Sequence, residues 1–387
     1  MNTNNFFRHK PIFLLLTGAF IFAHACFFIM PDMFETWNEK AIDRLFLFRA
    51  KTESLGPRYD STIVHVDIDD TSIRELKTYY LHRIHFAESV ANLSEMKVRA
   101  QLYDFIFAAP GSSKEDTELI QAVSKAPNVY FGLAFDISEE KNETVKFPDR
   151  TKPEAPSYLD RTKWHVKISG DPDGFHTVKD ALMTFNDLAE VSQGLGFLNV
   201  KPDSDGVFRR IPLLVVYNDA FYPSLAFRAV CHYLDVEPEN IFVYPGRKIV
   251  LKNVKHPAKS QTRDIEIPLD CNNNLRINFV GGWGKMLHYH FADILSASKS
   301  RDAMELWQEE LEGKLVMISE VSTGASDMGP VPTDTNFPLS GLHSNAVNTI
   351  LTESFLKDFS GIEMLLVELV LIFLILIFSV RFSSLPG

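Results

Sequence analysis

Ile63 to Ser72 reads IVHVDIDDTS, and the meaning given to this stretch decides the fold. Its β-branched residues Ile63, Val64, Val66 and Ile68 form a short apolar run that gives way to polar ones, the pattern of a buried strand. Asp67, Asp69 and Asp70 then fall at or beyond the strand's C-terminal end, where open α/β sheets gather ligands, metals and catalytic groups. These acids can bind a hard cation or accept hydrogen bonds from a helix N-terminus. In the blander alternative, Asp70 or Ser72 caps the next helix and the other acids face water. On the sequence alone the capping alternative is favoured.

Working outward, Ser72-Ile-Arg-Glu75 fits a capping box, and residues 84 to 97 carry helical periodicity. Ala100 to Phe107 is a second apolar strand, closed by Ala109-Pro110-Gly111. A helix from Ser113 through Lys125 and a strand from Val129 to Phe135 follow. This β-α-β-α-β opening predicts parallel pairing and an α/β core, a mixed sheet with flanking helices. Residues 137–185, rich in Pro, Lys, Glu and Asp, lose the rhythm and read as an inserted, solvent-exposed excursion. Beyond Gly194 the pattern predicts a hairpin, with Gly196 to Val200 and Val207 to Tyr217 flanking the turn Pro202-Asp-Ser-Asp-Gly206. A helix over Ser224 to Leu234 comes next, then strands at 249–251, 265–269 and 275–280. Helices near 291–296 and 301–311, a strand from Lys314 to Ser319 and a helix from His343 to Phe355 complete the domain.

Both ends are apolar. Pro11 to Met30 carries no formal charge over twenty residues; at a helical rise this covers ~30 Å, the thickness of a bilayer core. The run is longer than a signal-peptide core, and Phe28-Ile29-Met30 offers no small-residue cleavage pattern. Ile362 to Val380 is the second expected span, with Glu368 about a third of the way in, where it is either a contact between helices or a tolerated defect. Arg8 and Lys10 before the first span and Arg381 after the second put both termini in the cytoplasm. The expected order is a cytoplasmic 1–10, a span at 11–30, an extracytoplasmic domain at 31–361, a span at 362–380 and a cytoplasmic 381–387. The apolar spacing of Ile42, Leu45, Phe46 and Phe48 marks a juxtamembrane helix.

The net charge of -11 argues against a nucleic-acid partner, since no basic excess exists to neutralise phosphates. Cys26 lies in the first apolar run. Cys231 and Cys271 can bridge, although two lone cysteines in a large domain are more often buried thiols. Gly281-Gly-Trp-Gly-Lys285 lacks the spacing and the following Ser/Thr of a P-loop, and Gly194-Leu-Gly196 lacks the third glycine of a dinucleotide fingerprint. There is no G-x-S-x-G elbow and no H-E-x-x-H. Asp203-Ser-Asp205-Gly206 resembles the start of a calcium loop but lacks the remaining ligands, so a turn is favoured. His82 with His85, and His288 with His290, place imidazoles on one face, yet no cysteine or carboxylate stands at ligand spacing beside them. No catalytic residue, metal site or cofactor is expected. If the domain has a ligand pocket, it lies beside Asp67 and Asp69 with Tyr103 and Asp104 from the neighbouring strand.

Seven motifs in order resemble the CHASE2 family of extracytoplasmic sensory domains of bacterial membrane receptors. They are IDRLFLFR at Ile42, IVHVDIDDTSI at Ile63, LYDFIFAAP at Leu102, GFLNVKPDSDGVFRRIPLLV at Gly196, YPSLAFRAV at Tyr222, LRINFVGG at Leu275 and GLHSNAVNTIL at Gly341. The resemblance covers about residues 41–354. It implies an N-terminal transmembrane helix, a ligand-sensing domain, and then usually three transmembrane helices and a nucleotide cyclase, histidine kinase or Ser/Thr kinase. Here one C-terminal span and seven residues follow, so the chain reads as the sensory part of a receptor or as a free-standing sensor signalling through a partner. The expected protein is therefore a non-enzymatic inner-membrane sensor for a small ligand or envelope component, able to pair with a second copy through its membrane helices. The alternatives are a metal-assisted envelope hydrolase built on the Asp67 group and a ligand-free envelope scaffold.

Overall fold

The computed structural model describes residues 14, 15, 17–26, 29–52, 54–78, 80–137, 157–170, 174–257, 261–325, 327–357 and 361–382. The chain forms two compact units, one of residues 46–356 and one of residues 1–45 with 357–387.

The first unit is organised on a seven-stranded sheet. Its strands are β1 (Ile63–Ile68), β2 (Ala100–Tyr103), β3 (Val129–Ile137), β4 (Val178–Met183), β5 (Gly194–Phe197), β6 (His288–His290) and β7 (Leu315–Glu320). The order is β6-β1-β7-β2-β3-β4, with β5 also on β3. Every pairing is parallel except that of β3 with β4. The helices that matter are α1 (Pro31–Lys51), α2 (Asp70–Leu76), α3 (Arg83–Glu95), α4 (Ser113–Ser124), α5 (Leu225–Tyr233), α6 (Phe291–Ser296), α7 (Arg301–Leu311), α8 (Ser340–Leu351) and α9 (Gly361–Phe382).

Alternation along β1 separates two environments. Val64, Val66 and Ile68 join the apolar layer of Phe86, Val90 and Leu93 from α3, Leu119 and Val123 from α4, and Phe291 and Ile294 from α6. Ile63, His65 and Asp67 point to the other face, and β1 is buried along its whole length. On that face the sheet packs against α8, whose twelve residues are all buried and half of them polar. Because both faces are covered, the parallel strands read as continuous apolar runs, which is how the sequence announced them.

Close packing fixes one glycine. A Cβ on Gly196 in β5 would lie 2.5 Å from Leu225 Cα and 2.7 Å from its backbone N, at the start of α5. Neither atom can yield without moving the helix.

Several expectations change. Gly194–Phe197 pairs parallel with β3, and Arg210–Pro212 pairs with Asn274–Arg276, so the hairpin about Pro202–Gly206 does not form. The turn itself is present, with Gly206 N–H donating to the Asp203 carbonyl at 2.9 Å. Local turn chemistry was legible; the strand partners were decided by burial of Gly196 and Phe197 in the main sheet. Asp203 and Asp205 are occupied by Arg209, which is 2 % exposed and donates to both carboxylates at 2.8–2.9 Å. That pairing answers the calcium-loop resemblance, and the Arg209 hydrogen bond holds the Asp205 carboxyl down to about 2.

Of residues 137–185, those from 138 to 156 and from 171 to 173 lie outside the described residues. The remainder is not wholly exposed: β4 pairs with β3, and Leu159, Trp164 and Phe175 are buried. Cys26, Cys231 and Cys271 are free thiols, with Cys231 buried and Cys271 exposed.

In the second unit, residues 17–26 are helical and α9 runs for 22 residues. His24 Nε2 lies 3.3 Å from Glu368 Oε2, so the acid inside the second apolar run does meet a polar partner on another helix. The two expected membrane spans are not supported as such: among the described residues no helix is long and apolar enough to cross a membrane. Six residues of the first, at 11–13, 16, 27 and 28, lie outside the described set; α9 carries Glu363 and Glu368 within its apolar sequence.

Gly196→Ala should destabilise the domain by about 3 kcal/mol, the upper end for overpacking. Urea denaturation read by far-UV circular dichroism measures this, and a loss below about 0.5 kcal/mol would show that α5 can shift to make room.

Candidate functional site

The site lies on the polar face at the C-terminal end of β1. His65 and Asp67, two residues apart on the strand, share that face. Parallel pairing puts His65 beside His288 and Asp67 beside His290 on one flank, and Asp67 beside Ser319 on the other. Two carboxylate–imidazole pairs result. His288 Nδ1 is 2.9 Å from Asp67 Oδ2, and His290 Nδ1 is 2.8 Å from Asp69 Oδ2. Carboxylates therefore do stand beside the His288/His290 pair; they come from the neighbouring strand, where sequence spacing cannot place them.

The acids have separate roles. Asp69 is the N-cap of α2, accepting from Ser72 N–H at 2.9 Å and from the Ser72 hydroxyl at 2.8 Å. The helix thus starts one turn before the capping box read from Ser72. Burial works to raise the Asp69 carboxyl, but the Ser72 hydrogen bonds and His290 hold it below its ordinary range. Asp70 accepts from Thr323 N–H and Oγ1 at 2.8 and 2.5 Å, which lowers it too. Asp67 is different. It is 7 % exposed, and burial pushes its carboxyl up against the opposing hydrogen bond with His288.

His65 is completely buried, and burial, with His288 beside it, keeps its imidazole neutral. Its ring stacks on His288 at 4.9 Å between centroids and meets the Trp283 ring at 4.7 Å. Neither of its ring nitrogens has a hydrogen-bond partner among the described residues; nor do Asp67 Oδ1, the Ser319 hydroxyl or the Tyr59 hydroxyl. An unpaired buried polar atom costs about 1–3 kcal/mol, so several in one place mark a site that is incomplete as a structural element. His65, Asp67 and the hydrogen-bonded His288 each offer a ligand atom within 4.8 Å of the others. Trp283 belongs to the Gly281–Lys285 turn that failed as a P-loop; its carbonyl accepts from His288 Nε2 at 2.8 Å.

The remaining expected residues are placed as follows. Asp104 follows β2, two strands from β1, in the same row as Asp67 and Ser319, since Ile318 pairs with both Val66 and Tyr103. At ~4.8 Å per strand it stands about 10 Å from Asp67. Burial, and then the charge of Asp327, push its carboxyl up to about 7. Tyr103 is on the opposite face. It is fully buried beside Phe86 and Phe131, with its hydroxyl on Ser89 and Gln101; it belongs to the core and not to this site. His82 and His85 cap α3, with His82 N–H donating to His85 Nδ1 at 3.1 Å.

His65 and Ser319 were missed. Both looked like ordinary members of apolar strands, and only the period of two from His65 to Asp67 hinted that they share a face.

The raised Asp104 carboxyl has a sign that can be tested. Its unfolded value is about 4 and its folded value about 7, so the stability it permits is full below the lower value and declines as pH rises through the upper one. Asp104→Asn should therefore raise the thermal midpoint at pH 8 and leave it nearly unchanged at pH 4. An equal shift at both pH values would show that Asp104 is ordinary and solvated.

The family model of the CHASE2 domain matches residues 15–380, nearly the whole chain. Comparisons with curated proteins and with solved structures gave no match. CHASE2 is a sensory, non-catalytic domain, and no catalytic domain is identified in the chain. A mixed α/β domain with a polar, incompletely bonded site at its strand ends, matched by that model over almost its full length, belongs to the CHASE2 domain family.

Proposed function

We propose that this domain is the signal-input module of a bacterial membrane receptor. It faces outward between terminal membrane helices, binds a small ligand at the β1 site and passes the result to a cyclase or kinase effector. A second copy of the chain is the natural partner at the membrane helices.

The observation that supports coupling is the bonding around Asn278. Arg49, in the last turn of α1, donates to Asn278 Oδ1 at 2.6 Å and to the Phe279 carbonyl at 3.0 Å. Asn278 Nδ2 donates to the Ser354 carbonyl at 2.6 Å, and its N–H donates to Thr349 Oγ1 at 3.1 Å. Val280 N–H donates to Asn345 Oδ1 at 3.1 Å. Residues 278–280 are thus tied to the end of the helix that enters the domain and to the helix that leaves it. Three residues further on stands Trp283, whose carbonyl holds His288 in the site. A ligand that moves Trp283 or His288 changes what both helices are bonded to, and a ligand shifts an equilibrium only through such differential contacts.

Support for the membrane anchoring comes from the uncharged run at 11–30 and from α9, where Ile362, Leu366, Val370, Phe373 and Phe378 are all more than half exposed. A continuous row of that kind calls for an apolar surrounding. The basic residues Arg8, Lys10 and Arg381 argue for cytoplasmic ends.

Arg49→Ala in the full chain should cost about 1–3 kcal/mol, as expected for a charged hydrogen bond. It should also speed amide hydrogen exchange at residues 349–356 as well as at 278–280. Exchange that rises only at 278–280 would sink the coupling, because it would mean that the two helix ends do not communicate through Asn278.

A further inference from the structure

The hydrogen bonds of His288 leave an unresolved confrontation. Its Nε2 faces the Trp283 carbonyl, which can only accept, so Nε2 carries the proton. Its Nδ1 then presents a lone pair to Asp67 Oδ2 at 2.9 Å, an acceptor facing an acceptor. A proton on either atom makes this an ordinary hydrogen bond, and a metal ion is the other cation that can take its place. A single proton would meet that need but would leave both nitrogens of His65 and Asp67 Oδ1 unpartnered in a buried site. A buried water would serve His65 and Asp67 Oδ1 but not the confrontation. One divalent ion would engage a nitrogen of His65, Nδ1 of His288 and the Asp67 carboxylate at once.

We infer that His65, Asp67 and His288 form a binding site for a first-row transition-metal dication, held by two imidazole nitrogens and one carboxylate. The donor set fits this class: imidazole suits zinc, copper, iron and nickel, whereas calcium and magnesium take oxygen cages. Zinc–nitrogen bonds of 2.0–2.1 Å in a tetrahedral arrangement place donors about 3.4 Å apart; the three ligand atoms lie within 4.8 Å of one another, and His288 Nδ1 and Asp67 Oδ2, at 2.9 Å, would open slightly to take the ion. His288 donating its far nitrogen to a backbone carbonyl is the support that metal-bound histidines ordinarily have, fixing tautomer and ring orientation. Ser319 stands at the register position beside Asp67, and its hydroxyl has no partner among the described residues. Three protein ligands leave a coordination position open for water or a further ligand. Metal as the sensed ligand rests on the sensory reading above; metal binding by these side chains does not.

The test uses the untagged full chain in detergent micelles, dialysed against zinc, with metal content read by mass spectrometry. One zinc per chain is expected. Asp67→Asn and His288→Ala should each weaken binding about tenfold or more, and His85→Ala should leave it unchanged. His65→Phe is the discriminating variant. It removes an unsatisfied buried imidazole, so the metal-free protein should keep or raise its melting temperature while zinc affinity falls. Cobalt loading of the wild-type chain should give the visible bands of nitrogen and oxygen coordination, a readout that needs no variant to fold. No stoichiometric zinc, or wild-type affinity in His65→Phe, overturns the site. Hydrogen exchange at 278–280 and 349–356 separates the two proposals. Zinc bound without any change there leaves the metal site standing and sinks its sensory role. No zinc bound, with the Arg49 coupling intact, sinks the metal site and leaves the sensory reading standing.

Discussion

The structure depends on one buried helix that is polar by necessity. Every residue of α8 is shut away from water, yet Ser340, His343, Ser344, Asn345, Asn348 and Thr349 are on it. For Asn345, Asn348 and Thr349 the reason is backbone satisfaction. Asp60 N–H donates to Asn348 Oδ1, Asn348 Nδ2 donates to the Arg58 carbonyl, and Val280 N–H donates to Asn345 Oδ1. Irregular segments on two sides of the helix use its amides as the partners that a strand or a helix would otherwise supply. An apolar helix of the same shape would leave those groups unpaired. Burial keeps His343 neutral, with its imidazole down at about 4, so the layer carries polarity without adding charge.

That layer also explains why the site is on one face of the sheet only. On the α3 side, β1 meets Phe86, Val90 and Leu93, and nothing polar is tolerated without a local partner; Tyr103 there is bonded to Ser89 and Gln101. On the α8 side a row of polar groups can exist beside a helix that is itself polar. Asp67, Ser319 and Asp104 fall in one row because parallel strands end together, and α2 begins at that end with Asp69 as its cap.

The parallel α/β core was legible from β1, β2 and β3 because apolar runs of β-branched residues separated by helical periods admit few other folds. Helix starts shifted by up to a turn, since Asp69 and Ser72 are both good caps and only packing chooses between them. The partner of Gly194–Phe197 was not legible, for a turn as strong as Pro202–Gly206 speaks for a hairpin whether or not one forms. Asp67 and Asp69 were read as candidate ligand-binding residues from their expected place at a strand end, which is where the structure puts them. His65 was not, because a lone histidine among valines looks like any filled core position. The pairing of His288 with Asp67 spans 221 residues, and no local pattern reports such a meeting.

One feature of β6 bears on how the protein behaves over time. It has three residues, and it pairs with β1 alone at the end of the sheet order. Edge strands of this length open at a free-energy cost well below that of global unfolding. His288 and His290 ride on it, whereas His65, Asp67 and Ser319 sit on strands paired on both sides. Half of the polar cluster is therefore mounted on the sheet's least secured rim and half on its most secured interior. Fraying of that rim would part the two halves and admit solvent between them while the interior strands stay paired.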